Sequence, residues 1–222
     1  MRVFTITNHN FKCRPWAACF AVSASVYLVL QCIFGQNANA ADRSAKNWAV
    51  MMFAGPLVEQ ELSGIVFPAN GIDVTDTRFG GVSVSKRVYE FDHPLLTGFS
   101  LEAEVGAGYQ SGGSNNDAAQ VWGAVYMRYD AFPWNNFIKT TFAGSVGLNY
   151  ITKKTEFENN ETRNGNTKKL LHYFSPEITF AAPSRPDDEF VMRLHHRSGA
   201  SGLFGCEGCG SNFITFGYRK RF

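Results

Sequence analysis

The sequence predicts an all-β fold, an eight-stranded antiparallel transmembrane β-barrel of the outer-membrane type. Three observations carry that prediction. Apolar and polar residues alternate in eight stretches of roughly ten residues, each broken by turn chemistry. The connections alternate between long, polar or glycine-rich segments and shorter turns. Beyond residue 40, no segment holds the roughly 18 uninterrupted apolar residues of a membrane helix.

Residues 1–40 read as an export signal. Arg2, Lys12 and Arg14 form a basic start without an acidic residue, Trp16 to Phe34 is largely apolar, and Ala38-Asn39-Ala40 supplies the small-x-small pattern before Ala41. An uncleaved anchor is the rival, since the apolar stretch only just reaches spanning length; a lipoprotein reading through Cys32 is weakened by the bulky Gln31 before it. Removing the signal leaves residues 41–222 as one domain. Three of the 21 basic residues leave with it, so 18 face 19 acidic ones and the basic pI of the whole chain is misleading. A near-neutral mature chain implies no nucleic-acid partner. Of the cysteines only Cys206 and Cys209 remain, as Cys-Glu-Gly-Cys. In an oxidising compartment that spacing favours a loop disulfide over a zinc site, which would need two further ligands. No metal or cofactor is expected.

The strands follow in order. The first is near 47–55. The second, 77–88, alternates Val82 and Val84 with Ser83 and Ser85. The third, 98–110, sets Phe99, Leu101, Ala103, Val105, Ala107 and Tyr109 against Ser100, Glu102, Glu104 and Gln110. The fourth, 120–132, carries Val121, Val125, Met127 and Tyr129 opposite Arg128. The fifth, 136–151, sets Phe142, Val146, Leu148 and Tyr150 against Lys139, Ser145 and Asn149. The sixth, 168–182, contains Pro176, which leaves one ladder position without a donor. The seventh, 188–198, puts Phe190, Met192, Leu194, His196 and Ser198 on one face. The eighth, 211–222, carries Ile214, Phe216, Tyr218 and the terminal Phe222 on its apolar face. Longer connections fall at 56–76, 111–119, 152–167 and 199–210, and short turns at 133–135 and 183–187, with 89–97 between these in length. Trp48, Tyr109, Tyr129, Trp134, Tyr150 and Tyr218 are suited to interfacial girdles.

A soluble lipocalin-like barrel also has eight strands, with the apolar face inward. Two features favour the membrane form. The polar face is rich in Gly, Ser and Thr, as a narrow interior requires, and its charges come in both signs, so Glu102, Glu104, Glu177, Arg128, Lys139 and Arg193 have potential partners.

With the apolar faces outward, His196 and Ser198 stand on the outer wall near the extracellular end of the seventh strand. A histidine two residues before a serine on one face offers a general base beside a hydroxyl nucleophile. The bland alternative is two polar residues at the membrane interface. His195 is expected inside as a structural histidine, and His172 at the interface on the sixth strand. The 153–169 segment, with four lysines, one arginine and three glutamates, reads as a solvated extracellular loop whose cations would meet anionic phosphates.

The run from Arg193 to Leu203, with His196, Ser198 and a glycine-rich loop before a final strand ending in Phe222, resembles the C-terminal motif of the lipid A 3-O-deacylase (PagL-type) outer-membrane barrels. That resemblance implies an eight-stranded barrel with a Ser-His-Glu triad on its outer surface, hydrolysing the 3-linked acyl ester of lipid A. Carried over, Ser198 is the nucleophile and His196 the base. Two departures stand out. Where the family has an asparagine after the serine, contributing to the oxyanion hole, this chain has Gly199, leaving its backbone N–H as donor. Where the family has its glutamate, this chain reads Gly210-Ser211-Asn212, so Asn212 becomes the orienting group, as an amide does in some cysteine proteases, and Glu207 the nearest acid.

The leading expectation is therefore a monomeric lipid A-modifying ester hydrolase of the bacterial outer membrane, acting on lipopolysaccharide from the barrel exterior. The rivals are a non-catalytic structural or adhesive barrel, and a lipid A-modifying enzyme of other chemistry such as an oxidase, to which His172, His195 and His196 would be pertinent.

Overall fold

A membrane-spanning barrel has to hide every backbone donor and acceptor in its own ladders, and the computed structural model achieves this by closure. It describes residues 46–60, 62–66, 71–161 and 166–222; the predicted signal, 1–40, lies outside them. Nine strands are present among these residues: β1 (Trp48–Val58), β2 (Val74–Glu90), β3 (Phe99–Ser111), β4 (Ala118–Tyr129), β5 (Lys139–Ile151), β6 (Leu170–Phe174), β7 (Glu177–Ala181), β8 (Asp188–Ser198) and β9 (Gly210–Arg221). Each pairs antiparallel with its neighbours, and β1 pairs with β9 to close the ring. At the seam Trp48 and Phe222 exchange backbone hydrogen bonds of 3.2 and 2.9 Å.

The predicted sixth strand is two. β6 and β7 both lie between β5 and β8, one after the other, so together they form a single stave and the barrel has eight. The break falls at Ser175-Pro176. The proline has no N–H to donate, and its carbonyl accepts instead from the Leu194 N–H at 3.0 Å.

The wall decides between membrane and soluble barrel. Val105, Tyr109, Val121, Met127, Phe142, Val146, Leu148, Tyr150, Phe190, Met192, Phe216 and Tyr218 are all exposed, while Glu102, Glu104, Arg128, Asn149, Glu177 and Arg193 are buried. Apolar residues thus face outward and charged ones inward, the arrangement of a barrel set in lipid. Trp48, Tyr109, Trp134, Tyr150 and Tyr218 are exposed near strand ends, as interfacial girdles require, whereas Tyr129 is half-buried.

Inside, the residues form three tiers. Towards the short turns, Arg128, Arg193, Arg219 and Arg221 interleave with Glu102, Glu104, Glu177 and Glu189. Arg193 is held most tightly: its Nη atoms donate to both oxygens of Glu104 at 2.8 Å, and its Nε donates to Glu177 at 2.7 Å. Lys139 stays outside this network, exposed at the strand start, contrary to the sequence expectation; at the barrel mouth water can solvate its ammonium. The middle tier is aromatic, with Phe53, Phe79, Trp122, Tyr173 and Phe213 packed around His195 and Tyr126 beside Tyr173. Gly106 makes room for it: a Cβ there would sit 2.1 Å from the Trp122 ring. His195 is fully buried, with Nδ1 3.0 Å from the Tyr173 hydroxyl and Nε2 3.0 Å from Gln120 Oε1, the structural role expected of it.

The third tier corrects another expectation. The 153–169 segment is not simply solvated. Its short helix α1 (Glu156–Glu161) turns Glu158 into the mouth, where it is fully buried. There it accepts from Arg197 Nη1 at 2.6 and 2.9 Å and from Ser211 Oγ at 2.9 Å. Phe157 packs against the aromatic tier, and Glu156 N–H reaches back to the Asn115 carbonyl. A desolvated arginine across the mouth drew the loop in.

The interior network should dominate stability. Arg193→Ala strands the Glu104 and Glu177 carboxylates without their main cation, at a cost of about 3–5 kcal/mol. Val105→Ala, on the lipid face, should cost under about 1 kcal/mol because lipid fills the gap as methylene does. Denaturant midpoints for folding into lipid vesicles, read by tryptophan fluorescence, check both.

Candidate functional site

Strand register assembles the site at the end of the barrel that carries the longer loops. In β8, side chains alternate across the wall, so His196 and Ser198 share the outward row while His195 and Arg197 point inward. β9 runs back beside it with His196 opposite Asn212 and Ser198 opposite Gly210. On the other side β6 sets His172 opposite Ser198 and Phe174 opposite His196. Residues directly opposite have Cβ atoms about 4.5–5.5 Å apart, so the two imidazoles and the hydroxyl are near neighbours.

The pairing predicted for His196 is present. Its Nδ1 lies 2.5 Å from Asn212 Oδ1, and Asn212 Nδ2 donates to the Gln60 carbonyl at 2.8 Å. The second bond fixes the first. A backbone carbonyl only accepts, so the amide nitrogen must face Gln60 and the amide oxygen must face the histidine. An oxygen accepts only from a protonated Nδ1, which leaves the lone pair on Nε2. That is the tautomer a general base requires.

Loops shelter these residues rather than leaving them bare. His196 and Ser198 are half-buried, and Asn212 is only 9% exposed. A cleft of about 490 Å³ runs between the start of the β1–β2 loop and the 199–209 loop. It is lined by all five residues singled out from sequence: His196, Ser198, Gly199, Glu207 and Asn212. Glu207 is exposed on the loop. The orienting position beside His196 Nδ1 is taken by Asn212.

Gly199 departs from expectation. Its N–H donates to the Cys209 carbonyl at 3.2 Å, so it is engaged within the loop rather than turned to a substrate oxygen. Cys206 and Cys209 form the expected disulfide, which packs on Gly199. A Cβ at Gly199 would lie 2.2 Å from the Cys206 carbonyl and 2.7 Å from Cys209 Sγ. The glycine and the disulfide are therefore one feature: this loop geometry leaves no space for a side chain after the serine. Ala200 and Ser201 follow with φ of 47° and 53°, a left-handed stretch that carries the chain away from the strand.

The three histidines are split by the wall, His195 inside and His172 and His196 outside, and make no common cluster. Sequence reasoning missed Gln60. A glutamine after β1 carries no motif, and its role here belongs to its carbonyl, which every residue has.

No protein-family model matches the chain, and no curated protein matches it. Solved structures do. The crystal structure of the outer membrane enzyme PagL superposes with a TM-score of 0.55 over 78% of this chain and 98% of its own, at 13% identity. The fold is that of the bacterial outer-membrane β-barrels. Ail, the attachment invasion locus protein of Yersinia pestis, gives 0.40 at 6% identity, covering 81% of this chain and 100% of its own. The outer membrane protein OprG from Pseudomonas aeruginosa gives 0.37 at 12% identity, covering 80% and 97%. This outer-membrane barrel displays a polar constellation on its lipid-facing side.

The coupling of Gly199 to the disulfide is testable. Gly199→Asn, which installs the asparagine of the resembling motif, should prevent loop closure. Alkylation followed by intact-mass measurement on protein comprising residues 41–222 should find two free thiols in the folded variant and none in the parent.

Proposed function

We propose that the protein is a lipid A-modifying ester hydrolase that acts on lipopolysaccharide from the barrel exterior, with Ser198 as nucleophile and His196 as base. One observation carries this reading. The chain Gln60 carbonyl, Asn212 amide, His196 Nδ1 leaves the basic Nε2 on the outward row that Ser198 shares, two residues on. The resemblance of the 193–203 run to the lipid A 3-O-deacylase motif supports the substrate class. So does the row beneath the site, where Met192, Ile214 and Phe216 offer acyl chains an apolar wall. Lys153, Lys154, Lys168 and Lys169 on the β5–β6 loop would meet its phosphates.

In the reaction, Ser198 Oγ attacks the ester carbonyl carbon as its proton passes to His196 Nε2. The bond from that carbon to the sugar oxygen then breaks, and the proton returns to the departing oxygen. The resulting acyl-serine is hydrolysed by a water deprotonated by the same nitrogen, which releases the fatty acid and restores the serine. Asn212 holds the ring and its tautomer but brings no negative charge to the imidazolium. With the Gly199 N–H engaged, His172, opposite Ser198 in the register of β6 and β8, is the side chain we assign as donor to the oxyanion. One such donor is worth about 10²–10³ in rate.

A second reading, a non-catalytic structural or adhesive barrel, draws on that same bond from Gly199 to Cys209, which leaves the serine without its neighbouring backbone donor.

Mass spectra of lipid A from cells with and without the protein separate these readings. Expression should remove one 3-hydroxyacyl group, and Ser198→Ala or His196→Ala should abolish the loss, a fall of at least about 10³ for a unit of this kind. An unchanged spectrum on expression of the parent protein favours the inert barrel, and a gain of one oxygen indicates an oxidase.

A further inference from the structure

We infer that the β1–β2 loop is a positioning element that requires the third member of the site to be a neutral amide, so that a carboxylate at position 212 impairs the site instead of improving it. The inference rests on the hydrolase reading above and concerns the residue that reading finds most unusual.

The geometry is specific. Asn212 lies at the start of β9, opposite Val58 at the end of β1, so the chain leaving β1 passes directly beside it. Glu59 N–H donates to the Asp73 carbonyl at 3.1 Å, which closes the base of the loop, and Gln60 Nε2 donates to Asp73 Oδ2 at 3.0 Å. These two bonds hold Gln60 where its carbonyl receives Asn212 Nδ2. Gln60 is thus a positioning residue, acting through Asn212 on the His196 ring, and Asp73 supports it from outside.

Asparagine and aspartate have the same shape, so the substitution isolates chemistry from packing. In Asn212→Asp one carboxylate oxygen still faces His196 Nδ1. The other replaces the amide N–H₂ and meets the Gln60 carbonyl oxygen, acceptor against acceptor, in a position only 9% exposed. An unsatisfied contact of this kind pushes both partners apart. The loop loosens, which takes shelter from the cleft, and the carboxylate turns, which takes the acceptor from the His196 Nδ1–H. By contrast, a glutamate-type third member needs donors around its second oxygen, and this loop presents an acceptor.

The test uses the full-length barrel refolded in detergent and a small fluorophosphonate that phosphonylates an activated serine, independent of any lipid substrate. Its fluorine leaves with the serine proton as hydrogen fluoride, so a slower rate reports a less activated Ser198. Hydrogen exchange of the 59–66 amides is followed in the same samples. We expect Asn212→Asp to label about 10–100-fold more slowly than the parent, with faster exchange over 59–66. Replacing 60–72 by a short Gly-Asn-Gly turn, which takes the chain from Glu59 straight across to Asp73 so that the carbonyl at position 60 no longer faces position 212, should slow the parent yet speed the Asn212→Asp variant. A merely structural loop would shift both in the same direction.

The inference is overturned if Asn212→Asp, with the loop intact, labels as fast as the parent or faster, or leaves exchange over 59–66 unchanged. Absence of Ser198 labelling in the parent instead overturns the hydrolase reading, while the exchange comparison still decides whether the loop rejects a carboxylate.

Discussion

The structure depends on the pairing of Arg193 with Glu104 and Glu177 inside a barrel whose wall is apolar. Lipid on the outside reverses the usual rule for a core, so the polar half of every strand must be packed and neutralised within a narrow lumen. Four arginines and four glutamates of the described residues do this in the lower tier. Each is expensive to bury alone, and the set is acceptable only because nearly every guanidinium meets two or more carboxylates. The aromatic tier and the Arg197–Glu158 contact complete the filling above. A lumen so occupied gives the barrel its rigidity, and leaves the outside of the wall as the surface on which a ligand would be met.

That rigidity explains how a site can be built on a lipid-facing row. Register alone brings His172, His196, Ser198 and Asn212 together from three neighbouring staves. Arg197, between the two outward residues of β8, is anchored from inside by Glu158, so the strand end that carries the serine is fixed from behind. Loops then supply what strands cannot: a carbonyl from Gln60 on one side and a disulfide-tied turn on the other. The same tied turn takes the N–H of Gly199, so under the proposed function the closure of the loop and the supply of an oxyanion donor would compete for one group.

Much of this was legible in the sequence because period-two alternation is strong when one face meets lipid. The eight staves, the outward apolar rows of β3 and β5, the inward His195 and the Cys206–Cys209 link followed directly. The pairing of His196 with Asn212 did too, since both lie on outward rows of adjacent strands. What was not legible depends on tertiary context. Pro176 signalled a missing donor but not a full break. Glu158 sits in a run of charges and polar residues that looks solvated; only the buried Arg197 opposite it gives it a reason to enter the mouth. Gln60 acts through its backbone, so no side-chain pattern marks it. The engagement of the Gly199 N–H follows from how the disulfide loop folds back, which spacing does not disclose.

The outward placement of His196 and Ser198 has a kinetic consequence. A lipid substrate of the kind proposed would reach such a group by lateral diffusion in the surrounding leaflet. Its effective concentration at Ser198 would then be a mole fraction of the membrane surface, which dilution with buffer leaves unchanged and dilution of the leaflet with other lipid lowers. Encounter would be a two-dimensional search in which the barrel and that substrate share an orientation from the start, so less orientational freedom would remain to be lost on binding.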